Sequence, residues 1–301
     1  MTPALRGHLA MLVFSALVAG SFALGSLAAN EIAPTALNAL RFVLSAAIVG
    51  AVMLATRSAT RDGFRAPWRY LLLGGIFAIY FVLMFEGLKT APPVSTAAVF
   101  TLTPIIAGGF GWLLLRQVTT PRMVLALAIG GVGALWVIFR ADIAALRAFD
   151  VGRGEVIYFF GCIAHALYTP LSRKLNRGES AVQFAFGVLV AGAIVLFIWG
   201  APELLATPWS TLPAIVWITL IYLSVFASSV TFVLLQYATL RLPSAKVMAY
   251  TYLTPSWVVL WQLGLGKGAP PILILAGVAL TVLALALLLK DQTRSAPAAQ
   301  R

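Results

Sequence analysis

The chain has little of the side chains that usually carry metal or redox chemistry. Its 301 residues include a single cysteine, Cys162, and nine acidic residues. One thiol cannot close an internal disulfide bond and does not make a metal cluster, so we expect no metal and no other cofactor. Charged residues are also scarce, at 10% of the chain against roughly 25% in soluble domains. That scarcity excludes an ordinary soluble protein.

The chain is rich in apolar residues. Hydrophobic residues make up 61% of the chain, and its mean hydropathy is +0.97. A helix that crosses a bilayer needs about 20 mostly apolar residues, and ten such segments fit into this length. We therefore predict an all-α integral membrane protein with ten transmembrane helices in a lipid bilayer. The predicted spans are 8–28, 35–55, 69–88, 93–115, 122–140, 155–172, 182–200, 213–236, 244–264 and 271–290.

The first span has an alternative interpretation as a cleaved signal peptide. Arg6 precedes its apolar run, and Ser26-Leu27-Ala28 resembles a small-residue cleavage site. The apolar run is about 20 residues long, however, against the 7 to 15 of a signal sequence. We therefore expect a retained transmembrane helix.

The basic residues indicate orientation rather than a nucleic-acid partner. The net charge is +12, but no basic stripe carries the interleaved aromatic residues that nucleic-acid binding needs. With the N-terminus inside, 15 of the 21 lysines and arginines fall in cytoplasmic segments and five on the opposite side. Cytoplasmic loops carry such an excess. This pattern predicts a multi-pass protein of a bacterial inner (plasma) membrane with both termini cytoplasmic.

The chain repeats itself at half its length. The segment TAPPVSTAAVFTLTP at residues 90–104 corresponds to RLPSAKVMAYTYLTP at residues 241–255, 151 positions later. Five spans in each half is an odd number, so the two halves enter the membrane from opposite sides and form an inverted repeat. Such repeats recur in secondary transporters, where the substrate site lies between the halves. The predicted units are 1–140 and 155–290, joined by 141–154 and followed by a disordered tail, 291–301.

Several short motifs resemble the drug/metabolite transporter superfamily in its ten-helix form with two EamA-type units. They are Gly20-Ser21-Phe22, Pro34, Arg41-Phe42, Gly87-Leu88 and Thr103-Pro104 in the first half, and Ala238-Thr239-Leu240, Pro243 and Thr254-Pro255 in the second. The resemblance implies that helices 1, 3, 4, 6, 8 and 9 surround a central cavity. Within the superfamily, the chain is most similar to bacterial exporters of aromatic amino acids. One departure is that Arg116-Gln117 and Gly266-Lys267 stand where the family commonly has Gly-Glu.

The candidate substrate-binding residues lie on the helices that this resemblance places around the cavity. His165 falls at midplane depth in the sixth span, and Tyr168 lies three residues later on the same helix face. Aromatic side chains could line a cavity for aromatic or aliphatic solutes, and a serine hydroxyl could add a hydrogen bond. The full candidate set is His165, Tyr168, Tyr80, Phe100, Phe22, Ser228, Tyr250, Tyr252 and Trp257. For any one aromatic residue, lipid contact or packing is the alternative.

Two prolines and two glycine-rich runs suggest how the helices bend and pack. Pro104 and Pro255 occupy equivalent places in the two halves, where each removes a backbone hydrogen bond and can kink its helix. They are candidate hinges for alternating access, with static kinks as the alternative. The runs 108–111 and 130–133 predict close helix packing.

Two charged residues fall inside the predicted spans. Arg41 could contact a substrate carboxylate, but we favour a structural pairing with loop carbonyls near the outer end of its helix. Glu86 could take up a proton or bind a substrate ammonium, but a pairing with Lys89 is the simpler expectation. So few buried acids leave little from which to build a proton relay.

The features together predict a secondary transporter that exports aromatic and other hydrophobic amino acids or related small metabolites, facilitatively, by alternating access. A proton-coupled exporter of drugs or organic cations with the same fold is the alternative. No catalytic motif of an intramembrane enzyme occurs, so we expect no enzyme activity. The expected partners are a small-molecule substrate and the lipid bilayer, with a homo-oligomer as an open possibility.

Overall fold

The computed structural model describes residues 3–290, and within that range the chain is helical, with no β-strand. The predicted disordered tail, 291–301, lies outside the described residues. The helices are α1 (Pro3–Ala28), α2 (Pro34–Ala55), α3 (Trp68–Leu88), α4 (Pro93–Phe100), α5 (Thr103–Leu115), α6 (Pro121–Ile138), α7 (Ile143–Ala148), α8 (Arg153–Leu175), α9 (Ala181–Trp199), α10 (Ala201–Ala206), α11 (Ala214–Ser224), α12 (Thr231–Thr239), α13 (Ser244–Ala249), α14 (Thr254–Gly264) and α15 (Ile272–Lys290).

Eight of the described helices are long and apolar enough to cross a membrane, counting α4 with α5 and α11 with α12 as one each. The other two predicted spans, 155–172 and 244–264, correspond to α8 and to α13 with α14. Helix α8 is more polar, and a 3-10 turn at Tyr250–Leu253 interrupts the second of them. The all-helical membrane fold is confirmed. Of the ten predicted transmembrane helices, eight meet the criteria of length and apolarity for crossing a membrane.

The helix starts follow from local sequence. Pro34, Pro93 and Pro121 each stand in the first turn of a helix, where the missing N–H costs nothing because that turn has free N–H groups. Ser180 caps α9 by accepting a hydrogen bond from the backbone N–H of Gln183 at 3.1 Å.

Three predicted spans are interrupted near their middles. Helices α4 and α5 are separated at Thr101 and Leu102, and α13 and α14 at the 3-10 turn, so that Pro104 and Pro255 each stand in the first turn of the second piece. Helices α11 and α12 are joined through a π-helical segment, Val225–Val230. Such segments insert one extra residue into a helical turn and occur often at functional sites.

Glycines bring antiparallel helices into backbone contact. A Cβ added at Gly133 of α6 would lie 2.7 Å from the carbonyl oxygen of Gly277 in α15, and one added at Gly87 of α3 would lie 2.7 Å from that of Gly154 in α8. The second run thus packs closely as predicted. In the first run, Gly109 has no atom within 4 Å of an added Cβ, whereas one added at Gly111 would lie 2.8 Å from Oε1 of Gln117 and 3.4 Å from Cβ of Ser244, so close packing in this run is found at Gly111.

Helices at equivalent places in the two halves run antiparallel to each other. Helix α4 packs on α14 and α5 on α13, which reverses their chain order. Helices α2 and α9 likewise pair with Thr35 beside Gly200 and Gly50 beside Phe186. We call the membrane face that holds the start of α1 and the end of α8 the N-terminal face, and the other one the opposite face.

Candidate functional site

Three helices bring an aromatic cluster together in the middle of the bundle. Phe77 of α3 is its centre, with ring centroids 3.9 Å from Tyr168 of α8, 4.7 Å from Phe232 of α12 and 5.2 Å from His165 of α8. All four side chains are buried. The cluster therefore joins elements from both halves of the chain.

Tyr80 extends the cluster toward α1 and α4. Its ring centroid lies 4.5 Å from that of His165 and 6.0 Å from that of Phe100, while its hydroxyl lies 3.2 Å from the hydroxyl of Tyr158. Phe22 of α1 contacts Phe100 with centroids 5.7 Å apart. Five of the candidate residues are thus neighbours in the structure: Phe22, Tyr80, Phe100, His165 and Tyr168.

A small cavity of about 10 Å³ lies beside this cluster, room for about one water molecule. Its walls come from α1, α3, α8, the π-helical segment and α12. They comprise Phe14, Val18, Ser21, Phe77, Tyr80, Phe81, Met84, His165, Ala227, Thr231, Phe232 and Leu235. Small-molecule sites usually occupy about 300 to 1,000 Å³, so binding of a substrate here requires the helices to move apart.

His165 is the most polar group in the cavity wall. Its side chain is 2% exposed, and its Nδ1 atom has no hydrogen-bond partner among the described residues. An unpaired buried nitrogen costs free energy, whereas a polar solute or water in an enlarged cavity would satisfy it. The imidazole is held on three sides by the rings of Phe77, Tyr80 and Phe100.

Of the five clustered candidates, Tyr80 and His165 also line the cavity. The four remaining candidates lie outside both the cluster and the cavity wall. Ser228 accepts a hydrogen bond from Arg41, and Tyr250 has its hydroxyl 3.1 Å from Nδ1 of His8. Tyr252 packs against Gly130 of α6, and the indole N–H of Trp257 donates to Ser15 at 3.2 Å. The structure thus does not bring these four residues to the cavity.

Three members of the cluster are absent from the sequence-based candidates: Phe77, Tyr158 and Phe232. Phe77 precedes Tyr80 by three residues, and Tyr158 precedes His165 by seven, so each shares a helix face with a residue that was selected. Helical spacing from the selected residues would have found Phe77 and Tyr158.

Arg41 is fully buried behind the cavity wall. Its Nε donates to the Ser228 hydroxyl at 2.6 Å and its Nη2 to the Ala227 carbonyl at 2.9 Å, both in the π-helical segment. Its Nη1 donates to Asn38 at 3.3 Å, and the guanidinium lies 3.8 Å from the ring centroid of Phe81. The expected pairing with loop carbonyls is therefore wrong, because the partners lie within another span.

Two glutamates lie toward the opposite face of the bundle. Glu86 forms the expected ion pair with Lys89, with 2.7 Å between Oε2 and Nζ. Glu155, in the first turn of α8, is 3% exposed and accepts a hydrogen bond from the Ser95 hydroxyl at 2.7 Å. Neither residue is part of the cavity wall.

The helices also make close contacts at both faces of the bundle. At the opposite face, Gly87 and Gly154 pack backbone to backbone. At the N-terminal face, Arg69 and Glu179 form a buried ion pair at 2.6 Å, and Gln117 accepts a hydrogen bond from the backbone N–H of Ser244 at 3.0 Å. That last contact gives a role to the glutamine that stands where the family commonly has glutamate.

No group of three or more potential metal ligands occurs among the described residues. The long apolar helices indicate a multi-pass membrane protein. The sequence model of the EamA-like transporter family matches residues 5–139 and again residues 152–290. Because the two matches cover most of the chain, the protein belongs to the EamA-like transporter family and is a membrane transporter.

Relatives agree with that assignment. The chain is 24% identical over 266 residues to the uncharacterized transporter YyaM of Bacillus subtilis (strain 168), with 87% of this chain and 86% of the relative covered. It is 22% identical over 262 residues to an uncharacterized transporter of Archaeoglobus fulgidus, with 85% and 88% covered. A solved crystal structure matches with a TM-score of 0.71 at 22% identity over 95% of this chain and 96% of the other, which shows the fold.

Proposed function

We propose that this transporter exports aromatic and other hydrophobic amino acids, or related small metabolites, through the central cavity by alternating access. The observation that carries the proposal is the cavity wall, which combines the rings of Phe77, Tyr80, Phe81 and Phe232 with the imidazole of His165. Aromatic rings favour an aromatic or aliphatic side chain through buried area and edge-to-face contact. A single polar group then orients the solute, which is the usual composition of a small-molecule site.

Alternating access is supported by the relation between the halves. Equivalent helices run antiparallel, the family match occurs twice, and the helices make close contacts at both faces of the bundle. An inverted repeat can exchange the roles of its two halves, so the conformation that is open to one side has a counterpart open to the other. The excess of lysine and arginine in the segments assigned to the cytoplasm supports a cytoplasmic orientation of the N-terminal face.

We further propose that transport is facilitative. No aspartate or glutamate belongs to the residues that line the cavity, and Glu86 is paired with Lys89. A proton-coupled mechanism needs a group that gains and loses a proton during the cycle. In the part of the chain that the structure describes, the cavity wall offers no carboxylate for that role.

The experiment is uptake of labelled amino acids by the purified protein in liposomes, with and without an imposed pH gradient. We expect phenylalanine, tryptophan and leucine to enter faster than into empty liposomes, at rates that the gradient does not change. Absence of uptake for all three would contradict the proposal, and uptake that requires the gradient would contradict its facilitative part.

One observation favours the alternative of a proton-coupled exporter of organic cations. Glu155 is a buried carboxylate that takes part in none of the described ion pairs, and Ser95 donates to it. If it carries the coupling proton, gradient-driven export of an organic cation such as ethidium should occur and should be lost in Glu155→Gln. The facilitative proposal expects no such export.

A further inference from the structure

Arg41 is a buried positive charge without a negative partner in the part of the chain that the structure describes. Its side chain is 0% exposed, and the three described ion pairs are Arg65 with Asp62, Arg69 with Glu179, and Lys89 with Glu86. An arginine side chain keeps its proton in proteins. Buried charges are normally paired because an isolated charge costs much free energy in an apolar surrounding.

The contacts of Arg41 solvate its charge but do not cancel it. All three acceptors are neutral: the Ser228 hydroxyl, the Ala227 carbonyl and the Asn38 amide oxygen. A guanidinium has five N–H donors, so these three bonds leave donors for a further acceptor. Two of the three acceptors, the Ser228 hydroxyl and the Ala227 carbonyl, belong to the π-helical segment. The irregular turn thus contributes directly to the hydrogen bonds of Arg41.

This charge lies directly behind the cavity wall. Two of its contact residues, Phe81 and Ala227, also line the cavity, and the guanidinium lies 3.8 Å from the Phe81 ring centroid. None of the residues that line the cavity is an aspartate, glutamate, lysine or arginine. Arg41 is therefore a formal charge in direct contact with two residues of the cavity wall, and charges act strongly across a medium of low dielectric constant.

We infer that Arg41 determines specificity in this transporter by favouring solutes that carry a carboxylate, which would lie on the Phe81 and Ala227 side of the cavity. The apolar part of the solute then faces Phe77 and Phe232. Organic cations without a carboxylate are disfavoured by the same charge. This inference rests on the proposed function, since it assigns a substrate class to the same cavity. Arg41 acts through the cavity wall and is a positioning residue.

The test uses three solutes of similar shape in proteoliposomes: phenylalanine, phenylpropionate, which lacks the amine, and phenethylamine, which lacks the carboxylate. We expect the wild type to carry the first two and to discriminate against the third. Arg41→Met should raise KM for phenylalanine and phenylpropionate by about ten- to thirtyfold, the change expected for one unit charge acting over roughly 8 Å at an effective dielectric constant of about 20. The KM for phenethylamine should not rise.

Two further variants separate the charge from a purely structural role. Arg41→Lys keeps the charge and should retain the preference for carboxylates. Asn38→Ala removes one neutral acceptor and should leave the ratio of the three KM values unchanged. If Arg41→Met does not fold, competition on the wild type decides: phenylpropionate should inhibit phenylalanine uptake at lower concentration than phenethylamine does.

An equal KM change for all three solutes in Arg41→Met, or stronger inhibition of the wild type by phenethylamine, would overturn the inference while the proposed function stands. Transport of phenylpropionate without transport of any amino acid would overturn the proposed function while the inference stands. Transport of none of the three solutes would overturn both.

Discussion

Thr103 and Thr251 place the two interrupted helices in contact, with 3.2 Å between their hydroxyl oxygens. Each threonine lies at a helix break, at the start of α5 and in the 3-10 turn before α14. The Thr103 hydroxyl also donates to the Phe100 carbonyl at 2.7 Å, the acceptor that Pro104 leaves unused because proline has no N–H. The two breaks therefore meet near the centre of the bundle.

Replacing the prolines at these breaks should slow transport. Pro104→Ala or Pro255→Ala restores a backbone N–H and favours one continuous helix across the break, in which a proline would cost about 3 kcal/mol. If the breaks act as hinges, the maximum transport rate falls while the unfolding temperature does not. Pro121→Ala is the matched control, because Pro121 stands at the start of α6, where proline fits without cost. Wild-type rates in both variants would show that the kinks are static.

The buried ion pair at the N-terminal face should contribute strongly to stability. Arg69 and Glu179 are 2.6 Å apart, with side chains 0% and 2% exposed. Glu179→Gln leaves Arg69 buried without a counter-charge, which typically costs about 3 to 5 kcal/mol. Asp62→Asn is the control, since its pair with Arg65 is more than 80% exposed on both sides and such pairs are worth about 0 to 1 kcal/mol. Similar losses in the two variants, measured by denaturant unfolding, would contradict this account.

The same pair predicts a pH dependence. Burial alone would raise the pKa of the Glu179 carboxyl, but hydrogen bonds from Arg69 and from the backbone N–H of Arg177 outweigh it and hold that pKa below its ordinary value of 4.5. The stability that this carboxylate supplies is therefore complete above pH 4.5 and is lost as the pH falls through the lower, folded-state pKa. In Glu179→Gln, the free energy of unfolding should therefore decrease less than in the wild type as the pH is lowered through this range.

Helix packing at Gly133 should tolerate no larger residue. An added Cβ would lie 2.7 Å from the Gly277 carbonyl oxygen, and overpacking of this kind typically costs about 1 to 3 kcal/mol. We expect Gly133→Ala to lower the unfolding temperature. Gly109→Ala adds the same methyl group where no atom lies within 4 Å, and it should leave the temperature unchanged or raise it because alanine favours the helix.

The polar group in the cavity wall should matter for transport more than for folding. His165→Ala and Tyr168→Ala remove side chains that contact Phe77 at the cavity, and we expect both to raise KM for phenylalanine. Phe160→Ala is a control on the same helix, since Phe160 is 59% exposed and faces away from the cluster. If His165→Ala and Tyr168→Ala both keep wild-type affinity and rate, the prediction of a substrate site on α8 is wrong.

The sequence was sufficient for the features that depend on local pattern. The apolar segments match the helices, Glu86 pairs with Lys89, and five selected aromatic and histidine residues meet in one cluster. Tyr252 and Trp257 were harder to place because of the 3-10 turn between α13 and α14. Such a turn advances about 120° per residue instead of about 100°, so four residues rotate the following helix face by roughly 80°.

The environment of Arg41 could not be read from local sequence. Its partners are separated from it by 186 and 187 positions, and they face it only because the π-helical segment directs Ala227 and Ser228 toward α2. A π turn has no clear sequence signature in an apolar span. The sequence shows an arginine inside a predicted span, but its position beside the cavity depends on tertiary packing.

The most direct test of the central claim is counterflow of phenylalanine in proteoliposomes. Vesicles loaded with unlabelled phenylalanine are diluted into a trace of labelled phenylalanine, and the internal label is followed over time. A carrier that presents one cavity alternately to each side predicts a transient accumulation of label above its external concentration, which should be smaller and slower in His165→Ala because that variant binds phenylalanine more weakly. Simple equilibration without that maximum, at the rate of vesicles lacking the protein, would contradict the account.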